Sequence, residues 1–323
     1  MTERMPNMNK QLPIKLSPAF KDYLWGGDRL KTDFGKQSDL TPLAESWELS
    51  AHRDGESTVA TGPLAGLALT SYLKQVGTSA LGTAAARFDY FPILIKLIDA
   101  KGDLSVQVHP DDAYALANEG EYGKTEMWYI LDCEPGACLY YGFARDVSRA
   151  EYENAIKENR LTEILNRVPV KRGDVFFIPA GTVHAIGAGI VICEIQQNSN
   201  TTYRVYDYGR RDKNGNTRPL HVEKALAVSA LTAAPAHTDT PNGPDVLLAD
   251  CPYFTVRRLR VTDTLTLTCT DDTFYSLIVT DGHGTLTMHG ETLDLSKGDS
   301  IFIPAQNGSA TLDGTCELIF THI

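Results

Sequence analysis

The stretch GDVFFIPAGTVHAIG, Gly173 to Gly187, decides how this chain is read. Gly-Asp opens a turn, Val175–Ile178 forms an apolar strand, and Pro179-x-Gly181 ends it, so that the following strand delivers a lone histidine, His184. Taken alone, a histidine is more often a core or surface residue than a ligand. The stretch has a partner: KRGDVFFIPAGTVHA at Lys171–Ala185 matches SKGDSIFIPAQNGSA at Ser296–Ala310 with a constant offset of 125 residues. Gly173, Asp174, Phe177 and Pro179 recur as Gly298, Asp299, Phe302 and Pro304, but Gly181 becomes Gln306 and His184 becomes Ser309. The scaffold is repeated and the chemistry is not.

Outward from these copies, most strong segments are strand-like. FPILIKLID, LSVQV, EMWYIL, CLYYG, DVFFIP and IVICEIQQ are short, rich in β-branched and aromatic residues, and bounded by Gly, Pro or Asp. FYSLIVTDGHGTLTMHGETLDL reads as a hairpin with Asp281-Gly282 as its turn. Two stretches carry helical spacing instead: LTSYLKQVGTSALGTAAARF, and SRAEYENAIKENRLTEILNRV with a capping-box-like Ser148-x-x-Glu151. ALTAAPAHTDTPNGPD, residues 230–245, has neither period and is the candidate linker.

Composition bounds the function. The formal charge of −11 and the absence of clustered Lys and Arg argue against a nucleic-acid partner, so an anionic ligand must be held locally. The N-terminal MTERMPNMNK is polar, and no run approaches the roughly 20 apolar residues needed to span a bilayer. No membrane partner is expected. Six scattered cysteines without a C-x-x-C pair indicate free thiols in a reducing cytoplasm. A chain of 323 residues has room for about two domains of roughly 150 residues. Nothing marks a self-complementary patch, and a monomer or weak homo-oligomer is expected.

His184 needs companions to bind a metal, and LSVQVHPDD supplies two. Alternation puts Ser105, Gln107 and His109 on one face and Leu104, Val106 and Val108 on the other. In GKTEMWYIL, Lys124 and Glu126 share a face; alone they read as a surface pair. Together, Gln107, His109, Glu126 and His184 offer two neutral nitrogens, a carboxylate and an amide oxygen, a set suiting zinc ahead of iron, manganese or cobalt.

The four-residue pattern G-x5-P-x-G-x2-H, met by Gly173, Pro179, Gly181 and His184, resembles the second motif of the cupin superfamily. That resemblance implies a mainly β fold of two cupin-type jelly-roll barrels with a helical insertion. The expected division is residues 1–235 as the metal-binding catalytic domain, with the insertion at about 146–168, and residues 236–323 as a degenerate barrel without metal ligands. YLWGG, AESWELSAH, LIKLIDA, LSVQVHP, GKTEMWY, PAGTVHAIG and EIQQNSNTTYRVYDYGR together resemble the type I mannose-6-phosphate isomerases, most closely their short bacterial branch, from about residue 12 to the end.

The resemblance implies one zinc per chain on Gln107, His109, Glu126 and His184, and a sugar phosphate interconverted between mannose 6-phosphate and fructose 6-phosphate through a zinc-stabilised cis-enediol(ate). It makes Arg204 a catalytic arginine and places Lys96, Ser105 and Lys124 on the pocket wall, with Lys124 also catalytic. Trp25, Glu45 and Glu194 fall at further active-site positions. Arg210 and Arg211 are alternative phosphate contacts, and the proton shuttle is left open among Glu45, His52, Glu194 and a zinc-bound water. One residue departs from the pattern: the family's QNSD is here QNSN, with Asn200 unable to act as a base. The competing readings are another metal-dependent cupin enzyme and a non-catalytic sugar-phosphate-binding cupin.

Overall fold

The strand ILIKLIDA, Ile93–Ala100, is buried at every position, which requires cover on both faces. Ile93, Ile95 and Leu97 share a core with Ile278, Phe302 and Ile319 of the C-terminal part. Ile98, on the opposite face, belongs to a second core with Trp128, Ile130, Ile192, Leu139 and Ile186. The structure is a computed structural model and describes residues 11–211 and 215–323. The polar decapeptide MTERMPNMNK lies outside the described residues.

Two antiparallel sheets face each other across the second core. The six-stranded sheet runs in the order Val175–Ile178, Glu126–Cys133, Ile190–Gln197, Ile93–Ala100, Glu45–Leu49 and Ala19–Lys21. The five-stranded sheet runs Leu165–Pro169, Cys138–Phe143, His184–Ala185, Val106–Val108 and Tyr203–Tyr206. This is the mainly β, double-sheet barrel expected from the sequence. The third sheet is built mostly from residues beyond 244 and closes over its own core of Leu277, Val279, Leu286, Ile301, Leu312 and Leu318. It also recruits Ile14–Ser17, paired with Ser300–Ile303, and Thr58–Val59, paired with Ile14–Ser17. The sheets therefore cross the division that the linker suggested at residue 235. Before Asp245, where a strand begins, the linker forms no helix or strand, yet it is fastened: His237 stacks on Phe176 with centroids 4.3 Å apart, and Asp239 pairs with Lys171 at 2.6 Å.

The chain departs from its local sequence signals at three places. The insertion is helical only over Arg149–Lys157, where Ser148 Oγ accepts the Glu151 N–H at 3.1 Å as a cap should. Asn159 then takes a φ of 56°, a single 3₁₀ turn covers Leu161–Glu163, and Leu165–Pro169 becomes a strand on Cys138–Phe143. Pro169 cannot continue a helix, and sheet pairing takes over Leu165, which had kept helical spacing with Leu161. In the earlier stretch, Leu69–Val76 is a helix that stops at Gly77, with 3₁₀ turns over Thr78–Leu81 and Thr83–Arg87. Finally, Asp281-Gly282 is not the hairpin turn. The strand Tyr275–Met288 runs through it with a bulge, and the turn is His289-Gly290, both at positive φ as a two-residue hairpin loop demands.

The two repeated motifs diverge where the chemistry does. Gly181 sits at φ +88°, whereas Gln306 has an ordinary φ, so the second copy needs no glycine there. His184 is fully buried and its counterpart Ser309 is exposed. Gly173 and Gly298 share a left-handed conformation, but a Cβ on Gly298 would lie 2.1 Å from the Phe34 carbonyl oxygen while one on Gly173 meets nothing within 4 Å. Gly298→Ala should therefore cost about 2 kcal/mol or more and Gly173→Ala only about 1 kcal/mol. Chemical denaturation of the two variants side by side checks this order.

Candidate active site and metal centre

Pleat alternation brings the chemistry to the barrel interior. On the six-stranded sheet, Glu194 lies opposite Lys96 on one neighbouring strand and opposite Trp128 on the other. On the five-stranded sheet, Gln107 lies opposite His184 on one side and Arg204 on the other. Glu126 opens its strand and His109 follows directly on Val106–Val108, so both stand at strand ends near the barrel mouth.

His109, Glu126 and His184 converge, one ligating atom of each lying within 4.8 Å of the others, and all three are buried. His184 Nε2 is 3.3 Å from Glu126 Oε1, and His109 Nε2 is 3.7 Å from Glu126 Oε2. The other ring nitrogens are committed: Nδ1–H of His109 donates to the Thr201 carbonyl at 2.8 Å, and Nδ1–H of His184 to the Thr182 carbonyl at 2.9 Å. Each Nε2 is thereby left as a lone pair facing the carboxylate, the tautomer a metal ligand needs. Burial, helped by the charge on Lys124, holds His109 well below its ordinary pKa and brings His184 down to about 4, so both rings are neutral near pH 7. Burial and the neighbouring Glu194 push the Glu126 carboxyl up to about 7.

The donor set fits a cation. Glu126 Oε1 is buried without a hydrogen-bond partner among the described residues. Lys124 Nζ bonds Glu126 Oε2 and reaches His109 Nε2 at 3.2 Å, so an ammonium already seeks the same donors. Gln107 turns its amide nitrogen to 3.4 Å from His184 Nε2; exchanging nitrogen and oxygen of that amide would present the oxygen instead.

Beside this cluster, Trp25, Glu45, Lys96, Ser105, Gln107, Lys124, Glu194 and Arg204 line one cavity of about 210 Å³. Larger hollows of about 670 and 730 Å³ lie elsewhere, but neither gathers convergent buried charges. Here Lys96 Nζ stands 3.7 Å from Glu45 and 3.5 Å from Glu194, and Lys124 Nζ 3.6 Å from Glu194. Burial opposes the charge on Lys96, but Glu45, Glu194 and Glu126 outweigh it and its pKa is raised. Burial likewise opposes ionisation of Glu194, and Lys124, Lys96 and the Trp128 N–H overcome it, so its pKa is lowered. Taking each such ion out of water costs several kcal/mol, and charges retained at that cost inside a cleft mark a working site.

The comparisons with known proteins agree with this geometry. The family model for the phosphomannose isomerase type I catalytic domain matches residues 14–132, and that for the mannose-6-phosphate isomerase cupin domain matches residues 246–323. The mannose-6-phosphate isomerase of Streptococcus mutans is 38% identical over 315 residues, 96% of this chain and 98% of its own. Mannose-6-phosphate isomerase ManA of Bacillus subtilis is 38% identical over 317 residues, 96% of this chain and 99% of its own. The crystal structure of the mannose 6-phosphate isomerase from Bacillus subtilis superposes with a TM-score of 0.89 at 38% identity, over 97% of this chain and 100% of that one. The chain belongs to the type I mannose-6-phosphate isomerase family.

Several residues of this isomerase escaped the sequence. Tyr23, Thr202 and Arg218 also line the cavity. Tyr23 stood two places from Trp25 in YLWGG, a spacing that a strand or turn shares between neighbours on one side; Arg218 follows residues with no period at all. Arg210 and Arg211, the alternative phosphate contacts, do not line the cavity: Arg210 pairs with Asp207, and Arg211 Nη1 donates to the Gly215 carbonyl at 2.6 Å. His52 is turned away as well, with Nε2 3.4 Å from Glu121 and Nδ1 accepting the Asp54 N–H at 3.1 Å. Asn200 lines the cavity, and its amide donates to Asp54 Oδ2 at 2.8 Å, a bond that an ionised aspartate could not make. His283 lies in the C-terminal sheet and His289 in its hairpin turn, where His289 Nε2 meets Gln306 Oε1 at 3.1 Å. No described helix is long and apolar enough to cross a membrane.

Proposed function

We propose that this isomerase interconverts mannose 6-phosphate and fructose 6-phosphate with one zinc ion held by Gln107, His109, Glu126 and His184. The convergence of two neutral imidazoles on Glu126, beside a cavity with two buried lysines, carries the reading. Two nitrogens, a carboxylate and an amide oxygen suit zinc. When bound, the ion supplies a Lewis acid that polarises substrate oxygens. Six free thiols, each among the described residues, fit a reducing compartment, and we place the enzyme in the cytoplasm.

The reaction moves the C2 proton of the aldose to C1. Its loss leaves an enediolate with negative charge on O1; delivery of the proton to C1 and passage of the O2 hydroxyl proton to O1 give the ketose. Glu194 is the group assigned to carry the proton between carbons. It is ionised, its Oε2 is fixed by the Trp128 N–H at 2.9 Å, and its Oε1 has no hydrogen-bond partner among the described residues. Lys96 and Lys124 flank that oxygen and place two cations where the enediolate charge develops. Arg204 is held by Ser105 Oγ, which accepts from Nε at 3.2 Å, and by the Pro219 carbonyl, which accepts from Nη1 at 3.2 Å. Burial and nearby Arg218 lower its pKa, but a guanidinium keeps its proton at neutral pH.

Removing this fixed charge in Arg204→Ala should lower kcat/KM by about 10²–10³-fold, and Arg204→Lys should recover little because an ammonium cannot reproduce the planar fork. Steady-state kinetics on mannose 6-phosphate checks both. The reading itself is tested by a coupled assay for fructose 6-phosphate. Turnover of mannose 6-phosphate well above that of free mannose is expected, and no turnover by folded, zinc-loaded protein would overturn it.

A further inference from the structure

Glu121 lies in the loop after the helix Asp112–Asn118 and lines no part of the cavity, yet its side chain is almost wholly buried. Its Oε2 gathers three donors from one turn: Ser199 Oγ at 3.4 Å, the Asn200 N–H at 3.2 Å and Thr201 Oγ1 at 3.3 Å. Its Oε1 accepts from Arg53 and stands 3.4 Å from His52 Nε2. The turn is tightened from within, because Ser199 Oγ also accepts the Thr201 N–H at 3.2 Å. That same turn ends on the Thr201 carbonyl, the acceptor for His109 Nδ1–H. One carboxylate oxygen thus sets the position of the carbonyl that fixes the ring and tautomer of His109.

We infer that Glu121 is a positioning residue for His109 and tunes metal affinity from one turn away, an inference that rests on His109 being a metal ligand as proposed above. Without the carboxylate, three donors of one turn lose their acceptor, and the fully buried Ser199 has no exposure through which water could replace it. The turn must then shift to recover hydrogen bonds, and the Thr201 carbonyl shifts with it. His109 loses the partner that holds Nε2 toward Glu126. Outer partners of ligating histidines act in this way, with effects of about 10–100-fold on metal affinity.

The test is zinc affinity by competition with a chromophoric chelator, measured on the full chain, Glu121→Ala, Glu121→Gln and His109→Ala. Glu121→Ala should bind zinc about 10-fold or more weakly, whereas Glu121→Gln, whose amide oxygen can still take the three turn donors, should stay within about threefold of the parent. A Glu121→Ala protein with parental zinc affinity, alongside a His109→Ala protein that has lost it, would overturn the inference while leaving the metal site standing. If the parent chain and His109→Ala bind zinc alike, the metal reading fails and this inference with it. Should Glu121→Ala not fold, Thr201→Val removes one of the three donors and leaves both the carboxylate and the bond from the Thr201 N–H to Ser199 Oγ. Zinc affinity weakened in that variant supports the inference, and an unchanged affinity overturns it.

Discussion

His184→Ala should abolish zinc binding and lower kcat/KM on mannose 6-phosphate by about 10³-fold or more. The magnitude follows from the ion's role: Lewis-acid polarisation supplies several kcal/mol, and each 1.36 kcal/mol is a factor of ten. His184 is fully buried and its Nε2 is 3.3 Å from Glu126 Oε1, so no water-exposed residue can take its place. The remaining set, Gln107, His109 and a carboxyl whose pKa burial and Glu194 have pushed up to about 7, is a poor zinc site at neutral pH. Metal analysis after dialysis, paired with the coupled assay, reads both effects. Circular dichroism separates them from unfolding.

The second large effect is Glu194→Gln, which should lower kcat by about 10²–10⁴-fold, the range for loss of a general base. The substitution is nearly isosteric, and the Gln carbonyl oxygen can still accept from Trp128 Nε1, so the wall keeps its shape. What disappears is the proton acceptor. Glu45→Gln provides the contrast, because Glu45 Oε2 meets Lys96 at 3.7 Å whereas Glu194 Oε1 stands between Lys96 and Lys124 at 3.5 and 3.6 Å. A loss near tenfold is expected there. If Glu45→Gln falls as far as Glu194→Gln, the carboxylates share the proton and the assignment to Glu194 alone is wrong. Retention of solvent exchange at C2 without net isomerisation would point to a failed return step.

Much of this fold was legible because its strands obey a period of two. Ser105, Gln107 and His109 were separable from Val106 and Val108 by alternation alone, and the structure lines the cavity with Ser105 and Gln107 while keeping both valines fully buried. The repeat of the Gly-Asp and Pro motif across 125 residues also announced a second unit of similar architecture. Turn placement was harder, since Asp281-Gly282 and His289-Gly290 both carry turn chemistry. Only long pairing with Gly308–His322 decides between them, by holding Tyr275–Met288 extended through the first dipeptide. The overlong helix has a similar cause: Leu161 and Leu165 keep helical spacing, but Leu165 is claimed by a strand. Glu121 and Arg218 were invisible because loops have no period, and their partners are brought near only by the folded sheets.

We propose that the buried cluster of His109, Glu126 and His184, with Gln107, holds a zinc ion on which isomerisation depends. The most direct test measures zinc content and mannose 6-phosphate isomerisation on one sample, before chelation, after chelation, and after zinc is returned. One zinc per chain is expected at the start, with activity falling in proportion as it is withdrawn and recovering as the site refills. Full activity in a zinc-free sample would contradict it.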